Sequence, residues 1–202
     1  MAFVCSGAYI QGKDEFGMEL LAAPQINGET VYYSYLIIPS SSPANKLEDL
    51  KGTRFAFTDP LSNTGCLSPR YILLTQMNET PDHFFKEIKF TYSHDTSIKA
   101  VAQEKVDGAS VDNLVYDYFK KTNPDLINKT KIINISEPYG IPPVVVSPKL
   151  EPELKKILRD VFLDMHQNNK GKEILKNLMI DKFILIPDSS YDSIRRMETI
   201  LK

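Results

Sequence analysis

Residues 58–70 concentrate the side chains best suited to holding a small anion. Ser62, Asn63 and Thr64 bring two hydroxyls and an amide together, with Gly65 directly after them and Pro69 near the end. A short apolar run, Arg54-Phe55-Ala56-Phe57, leads in, and Tyr71-Ile72-Leu73-Leu74 leads out. The stretch therefore reads as a strand, a polar turn and a helix start. Ser, Asn and Thr cap helices because their side-chain oxygens accept from backbone N–H groups in the turn. Gly65 permits close backbone approach. Pro69 suits a first helical turn, where its missing N–H costs nothing. Open N–H groups and the positive end of the helix dipole make such a place an anion site. An ordinary capped helix has the same pattern, and this stretch alone does not separate the two.

Two further polar positions follow strand-like runs. His94 stands at a helix start beside Asp95, where an imidazole can donate to an anionic ligand or simply cap and pack. Asp112 ends an apolar run and can hold an ammonium or hydroxyl, or cap the helix after it. A Ser cluster, a His and an Asp are also the parts of a hydrolase triad. However, no Gly-x-Ser-x-Gly elbow, Walker loop, Gly-x-Gly-x-x-Gly run or His-Glu-x-x-His helix is present. Cys5 and Cys66 have neither disulfide-framework nor metal-ligand spacing, so no metal and no cofactor are expected.

The 202 residues carry a net charge of −2 with 42% hydrophobic and 25% charged content, which is ordinary for a globular chain. The absence of a basic run argues against nucleic acid as a partner. No stretch approaches a membrane span, and Met1 runs into Ala2-Phe3-Val4-Cys5 without the charged leader of a signal peptide.

These residues need elements to position them. Strands are predicted over 2–5, 19–23 and 30–38, with Asn27-Gly28 as a hairpin turn. From 53 to 135 the pattern alternates strand and helix, which implies a parallel sheet flanked by helices. The turns 58–65, 93–95 and 112–113 all follow strands, where open α/β sheets bind ligands. Residues 138–143 form a Pro-rich link, followed by a buried Val144-Val145-Val146 strand. Residues 151–167 form the clearest helix, with Leu154, Ile157, Leu158, Val161, Phe162 and Met165 on one face. A further helix covers 171–179, and a last one runs through Tyr191, Ile194, Met197 and Leu201.

Three segments in order are specific in combination. The run from Asp49-Leu50-Lys51-Gly52 to Ser62-Asn63-Thr64-Gly65, then Tyr92-Ser93-His94-Asp95-Thr96-Ser97, then Val106-Asp107-Gly108-Ala109-Ser110-Val111-Asp112 resembles the phosphate/phosphonate/phosphite class of ABC-transporter substrate-binding proteins. Tyr191-Asp192-Ser193-Ile194-Arg195 resembles that family's closing helix.

The resemblance implies an α/β, two-lobed periplasmic-binding fold of type 2, with parallel-rich sheets flanked by helices. Lobe one would comprise residues 1–38 and 136–202, lobe two 40–135, with crossings at 30–38 and 135–143. Lobe one would lack its first two βα units, leaving any secretion or anchoring signal out of view and a sheet edge open to pairing with a second copy. The ligand would be phosphonate, phosphate or phosphite, held in an interlobe cleft that closes on it. Ser62, Asn63 and Thr64 would grip the oxygens, His94 would add a donor, and Tyr9 a hydroxyl from lobe one. Asp112 would meet a distal amine, with Tyr33 and Tyr139 near the crossings. The implied partner is an ABC-transporter permease and the implied location the periplasm or the outer face of a membrane. Three other readings remain at this level: a ligand-sensing domain of a signalling protein, the effector domain of a transcription regulator, and a phosphoester or phosphonate hydrolase.

Overall fold

The chain is described over residues 1–202 by a computed structural model. It opens with β1 (Ala2–Phe3) and α1 (Ser6–Phe16). Gly17 ends α1 in the left-handed region (φ 66°), and its N–H bonds back to the Lys13 carbonyl at 3.0 Å. β2 (Glu19–Gln25) leads to the turn at Asn27 and Gly28, both at positive φ (53° and 81°), where Ile26 and Glu29 exchange backbone hydrogen bonds as the sequence predicts.

β3 (Val31–Tyr32) and β4 (Ser34–Pro39) follow in place of a single strand over 30–38. The break lies at Tyr33, whose N–H donates to Asn113 Oδ1 (2.7 Å) and whose carbonyl accepts from the Asn113 N–H (3.1 Å). Both backbone groups of Tyr33 are therefore taken by one residue outside the ladder.

Next come β5 (Arg54–Phe57), α2 (Ser68–Met77), α3 (Pro81–Phe84), β6 (Glu87–Phe90), α4 (His94–Ala102), β7 (Gly108–Asp112), α5 (Asn113–Thr122), α6 (Pro124–Ile127) and β8 (Thr130–Ile135). The sheet order is β6-β5-β7-β4-β8, with β5 parallel to β6 and β7, and β4 antiparallel to β7 and β8. The strands joined by helical crossovers, β5 to β8, thus share one direction, as the alternation implies. β4 alone is reversed, so the sheet is mixed. Pleating sorts the core. Leu36, Ile38, Phe55 and Phe57 face one side with Leu73, Phe84 and Phe85, while Ile37, Ala56 and Val111 face the other with Ile98, Val101 and Tyr116.

The remainder is β9 (Tyr139–Gly140), β10 (Val144–Val146), α7 (Pro152–Asp164), α8 (Asn169–Leu178), β11 (Lys182–Ile184) and α9 (Asp192–Leu201). Here the sheet order is β1-β10-β2-β11, antiparallel at each pairing. Its core joins Leu21, Val144, Val146, Leu175 and Phe183 to Leu158, Phe162 and Met165. The apolar face predicted for α7 is wider than its contact, since Leu154, Ile157 and Val161 stay exposed.

The chain divides into two compact units: Met1–Val31 with Tyr139–Arg195, and Tyr32–Pro138 with Arg196–Lys202. Residues 32–38, expected in the first lobe, lie in the second unit because β4 is laddered between β7 and β8. The end of α9 belongs to the second unit as well.

Candidate functional site

In the second unit, the polar turn after β5 brings together Ser62, Asn63, Thr64, His94 and Asp112. Asp59 tightens its entry, with Oδ1 accepting from the Leu61 N–H (2.8 Å) and its carbonyl from the Ser62 N–H (2.9 Å). Ser62 then caps the following turn, its Oγ accepting from the Gly65 N–H at 3.0 Å. The Ser62 carbonyl accepts from Leu67 N–H at 3.0 Å, five residues on, so Asn63–Leu67 is a widened π-helical turn before α2. Such turns are rare and are often found at functional sites. Sequence reading gives the cap but not the widening, because no residue pattern marks it.

Gly65 is required for a steric reason. Its carbonyl accepts from the Thr58 N–H (3.1 Å), and a Cβ at Gly65 would lie 1.4 Å from Thr58 Oγ1. Thr64 is fully buried. Its carbonyl lies 2.7 Å from Ser34 Oγ and 2.8 Å from Ser110 Oγ, and those hydroxyls are 2.7 Å apart. With one hydrogen on each hydroxyl, two of these three contacts are bonded at a time. The effect is to pin the Thr64–Gly65 peptide from below. The Thr64 Oγ1 is buried without a hydrogen-bond partner. As the second residue of its turn, Thr64 also has an N–H with no intrahelical acceptor. Asn63 is equally buried, and its Nδ2 donates to Tyr32 Oη at 3.1 Å.

His94 opens α4 behind Ser93, whose Oγ accepts from the Thr96 N–H at 3.4 Å. The His94 Nδ1 accepts from the Asp112 N–H at 3.0 Å and lies 3.5 Å from Thr58 Oγ1. A backbone N–H only donates, so Nδ1 is unprotonated and the neutral ring carries its proton on Nε2. Burial holds the imidazole down to about 4, against a smaller upward pull from Asp95. Near neutral pH, His94 is an uncharged donor.

Asp112 ends β7 and caps α5, with Oδ1 accepting from the Leu114 N–H at 2.7 Å. Burial pushes its carboxyl up to about 7, opposed by the Leu114 and Val115 N–H groups. Tyr33 is tied through its backbone to Asn113, next to Asp112. The site thus combines uncharged donors with one carboxyl poised near neutrality, a set suited to an oxyanion in a partly dry setting.

Tyr9 stands in the first unit, on α1, fully buried. Its hydroxyl donates to Asp188 Oδ1 at 2.6 Å. The proton that the sequence offers to an oxyanion is therefore committed to a carboxylate in this structure. Asp188 is also bound by Lys13 Nζ (2.8 Å) and Arg195 Nη2 (2.8 Å). Burial raises the Asp188 carboxyl, but hydrogen bonds from Lys13, Tyr9 and Arg195 outweigh it and hold it near 2. Burial likewise raises the Tyr9 phenol, reinforced by the Asp188 bond.

Sequence reasoning missed Ser34, Ser110 and Thr58 as supports of the turn. A signal existed for Ser110, a polar residue between Ala109 and Val111 in a strand buried at every position. Ser34 carried none.

A family model described as the periplasmic substrate-binding protein of phosphonate ABC transporters matches residues 1–191. The chain is similar to the phosphonates-binding periplasmic protein of Escherichia coli K12, 29% identical over 156 residues, covering 75% of this chain and 46% of that protein. It thus spans about half the length of this curated relative. A crystal structure of a binding-protein component of a phosphonate ABC transporter from Pseudomonas aeruginosa superposes with a TM-score of 0.91 at 29% identity, over 98% of this chain and 67% of that one. The fold is also that of a Prochlorococcus marinus protein solved with methylphosphonate, with a TM-score of 0.85 at 23% identity over 97% of this chain and 76% of that one.

Proposed function

Because the chain belongs to the phosphonate ABC-transporter periplasmic substrate-binding proteins, we propose that it captures a phosphonate for delivery to a transporter permease, working in the periplasm. Thr64 carries this reading. A fully buried hydroxyl without a partner costs free energy unless something absent from the free protein accepts from it. The oxygen of a tetrahedral anion fits, since the Thr64 N–H and Oγ1, the Ser62 hydroxyl and the His94 Nε2–H are all donors. The ligand leaves chemically unchanged. Phosphate and phosphite share the oxygens and belong to the same proposal as weaker candidates, because their lack of a carbon substituent leaves nothing to meet Asp112.

Asp112 sets the finer specificity in this reading. An ammonium-bearing phosphonate placed against it would ionise the carboxyl and gain a charge-assisted bond. Pairing of two copies along the short β1 edge belongs to the proposal too, since β1 pairs only with β10 in the four-stranded sheet.

Isothermal titration with methylphosphonate, 2-aminoethylphosphonate, phosphate and phosphite tests the proposal. The expected order places phosphonates above the inorganic anions, with the aminophosphonate first. No heat from any phosphonate, or turnover of a phosphonate or phosphate ester in the same sample, would overturn it.

A further inference from the structure

A cavity opens on the second unit beside the polar turn, whose Pro60 forms part of its lining. It measures about 420 Å³ and its apolar walls include Phe57, Leu74, Ile88 and Phe90, with Arg70, Glu79 and Asp82 as the charged residues of its lining. That volume lies within the range of small-molecule pockets. None of these residues belongs to the set assigned to the oxyanion. Cys66 connects the two places, since it sits in the π-helical turn and its N–H bonds the Ser62 carbonyl at 3.1 Å.

Arg70 gives the cavity its character. Arg70 is intermediate in exposure as a residue and has no carboxylate at ion-pair distance, whereas Arg54 and Arg195 are paired with Asp107 and Asp188. The polar neighbour it does have is the Cys66 thiol, which burial raises and Arg70 lowers. The two acids of the lining, and Asp59 in the adjoining turn, are engaged or solvated. Glu79 takes Lys51 Nζ at 2.6 Å, Asp59 accepts from the Leu61 N–H at 2.8 Å, and Asp82 is exposed. A cation without a carboxylate partner beside an apolar trough suits an anion at the head of an apolar chain, which would meet both.

The geometry points to a binding site for a small amphiphilic anion, with an alkyl body along Phe57, Leu74, Ile88 and Phe90 and its carboxylate on Arg70. Phe90 is 41% exposed and supplies much of the apolar surface such a body would cover. A compact phosphonate leaves this surface wet, so the site is distinct from the oxyanion turn and does not rest on the function proposed above.

Octanoate is the probe. Calorimetry on the intact chain, with NMR of the Leu74 and Ile88 methyl groups, should show saturable octanoate binding that shifts those methyls. Octylamine, with the same chain and the opposite charge, should bind at least roughly tenfold more weakly, the weight of one charge-assisted contact. Arg70→Gln should lower octanoate affinity by a similar factor at an unchanged melting temperature, and Arg70→Lys should restore part of it. Equal affinity for octanoate and octylamine, unchanged affinity in Arg70→Gln, or methyl shifts scattered outside the cavity would each overturn the assignment. The octanoate and octylamine comparison needs no variant, so a poorly folded Arg70→Gln does not leave the question open. Methylphosphonate heat is read separately, and its loss would count against the oxyanion reading alone.

Discussion

The Asp112 backbone N–H donates to His94 Nδ1 across 3.0 Å, so the end of β7 fixes the tautomer of the first residue of α4. This bond decides which nitrogen of His94 faces outward with a proton. Nitrogen NMR should show a neutral imidazole protonated on Nε2 from about pH 5 upward, given that burial lowers this group to about 4. A signal for the Nδ1–H tautomer would contradict the assignment.

His94→Ala should weaken methylphosphonate binding by about 1.5–3 kcal/mol, the range for one hydrogen bond to a charged group. His94→Gln retains a donor near the Nε2 position and should recover part of the loss. Titration calorimetry at constant pH reads both. Equal affinity in wild type and His94→Ala would remove His94 from the site.

Ser62→Ala and Thr64→Val separate two roles. Ser62 holds the Gly65 N–H and caps the turn, so its loss should lower both melting temperature and affinity, by about 1 kcal/mol for the cap. Thr64 Oγ1 has no partner in the free protein. Thr64→Val should therefore leave stability nearly unchanged while weakening phosphonate binding by about 1–3 kcal/mol. A large stability loss without loss of affinity would reverse the roles.

Gly65→Ala should disrupt the turn outright. The added Cβ would lie 1.4 Å from Thr58 Oγ1, beside a peptide held by Ser34 and Ser110. Overpacking of this kind costs about 1–3 kcal/mol or more. Thr58→Gly, which empties that space, should rescue part of the stability in a double mutant followed by thermal melts.

Stability and pH are linked through two groups of opposite sign. The Asp112 carboxyl is raised from 3.8 to about 7. Its contribution is fully present below pH 3.8 and is lost as pH rises toward 7. His94 is lowered from 6.5 to about 4, so its contribution is present above pH 6.5 and is lost as pH falls toward 4. Between these limits the two oppose each other, and wild-type melts alone do not resolve them. Asp112→Asn isolates one. It should gain stability relative to wild type as pH rises from about 4 to about 7 and hold a constant difference above. Parallel curves across that window would show that Asp112 does not titrate there.

The sequence made the second unit's strand and helix order legible because its strands alternate with capped helices. Phe55 and Phe57 opposite Ala56 already give the pleat, and Ser62, Ser93 and Asp112 each cap the helical turn they precede. What stayed hidden depends on contacts distant in sequence. The reversal of β4 is set by its neighbours in the sheet, and the break at Tyr33 by Asn113, far along the chain. The commitment of Tyr9 to Asp188 depends on a partner 179 positions away, which no local pattern shows. In α7 the periodicity identified a stripe correctly but not how much of it would meet a neighbour, since Leu158 and Phe162 are covered and Ile157 and Val161 are not.

The reversed strand also sets an order of assembly. β4 leaves the ribosome before both strands that flank it, so Leu36, Ile37 and Ile38 must wait for β7, ending at Asp112, to satisfy one edge and for β8, ending at Ile135, to satisfy the other. Pairings so far apart along the chain slow folding and prolong the life of a sticky intermediate. Nascent protein should therefore be most dependent on chaperones during this interval, and the wait ends only when β8 arrives to close the sheet.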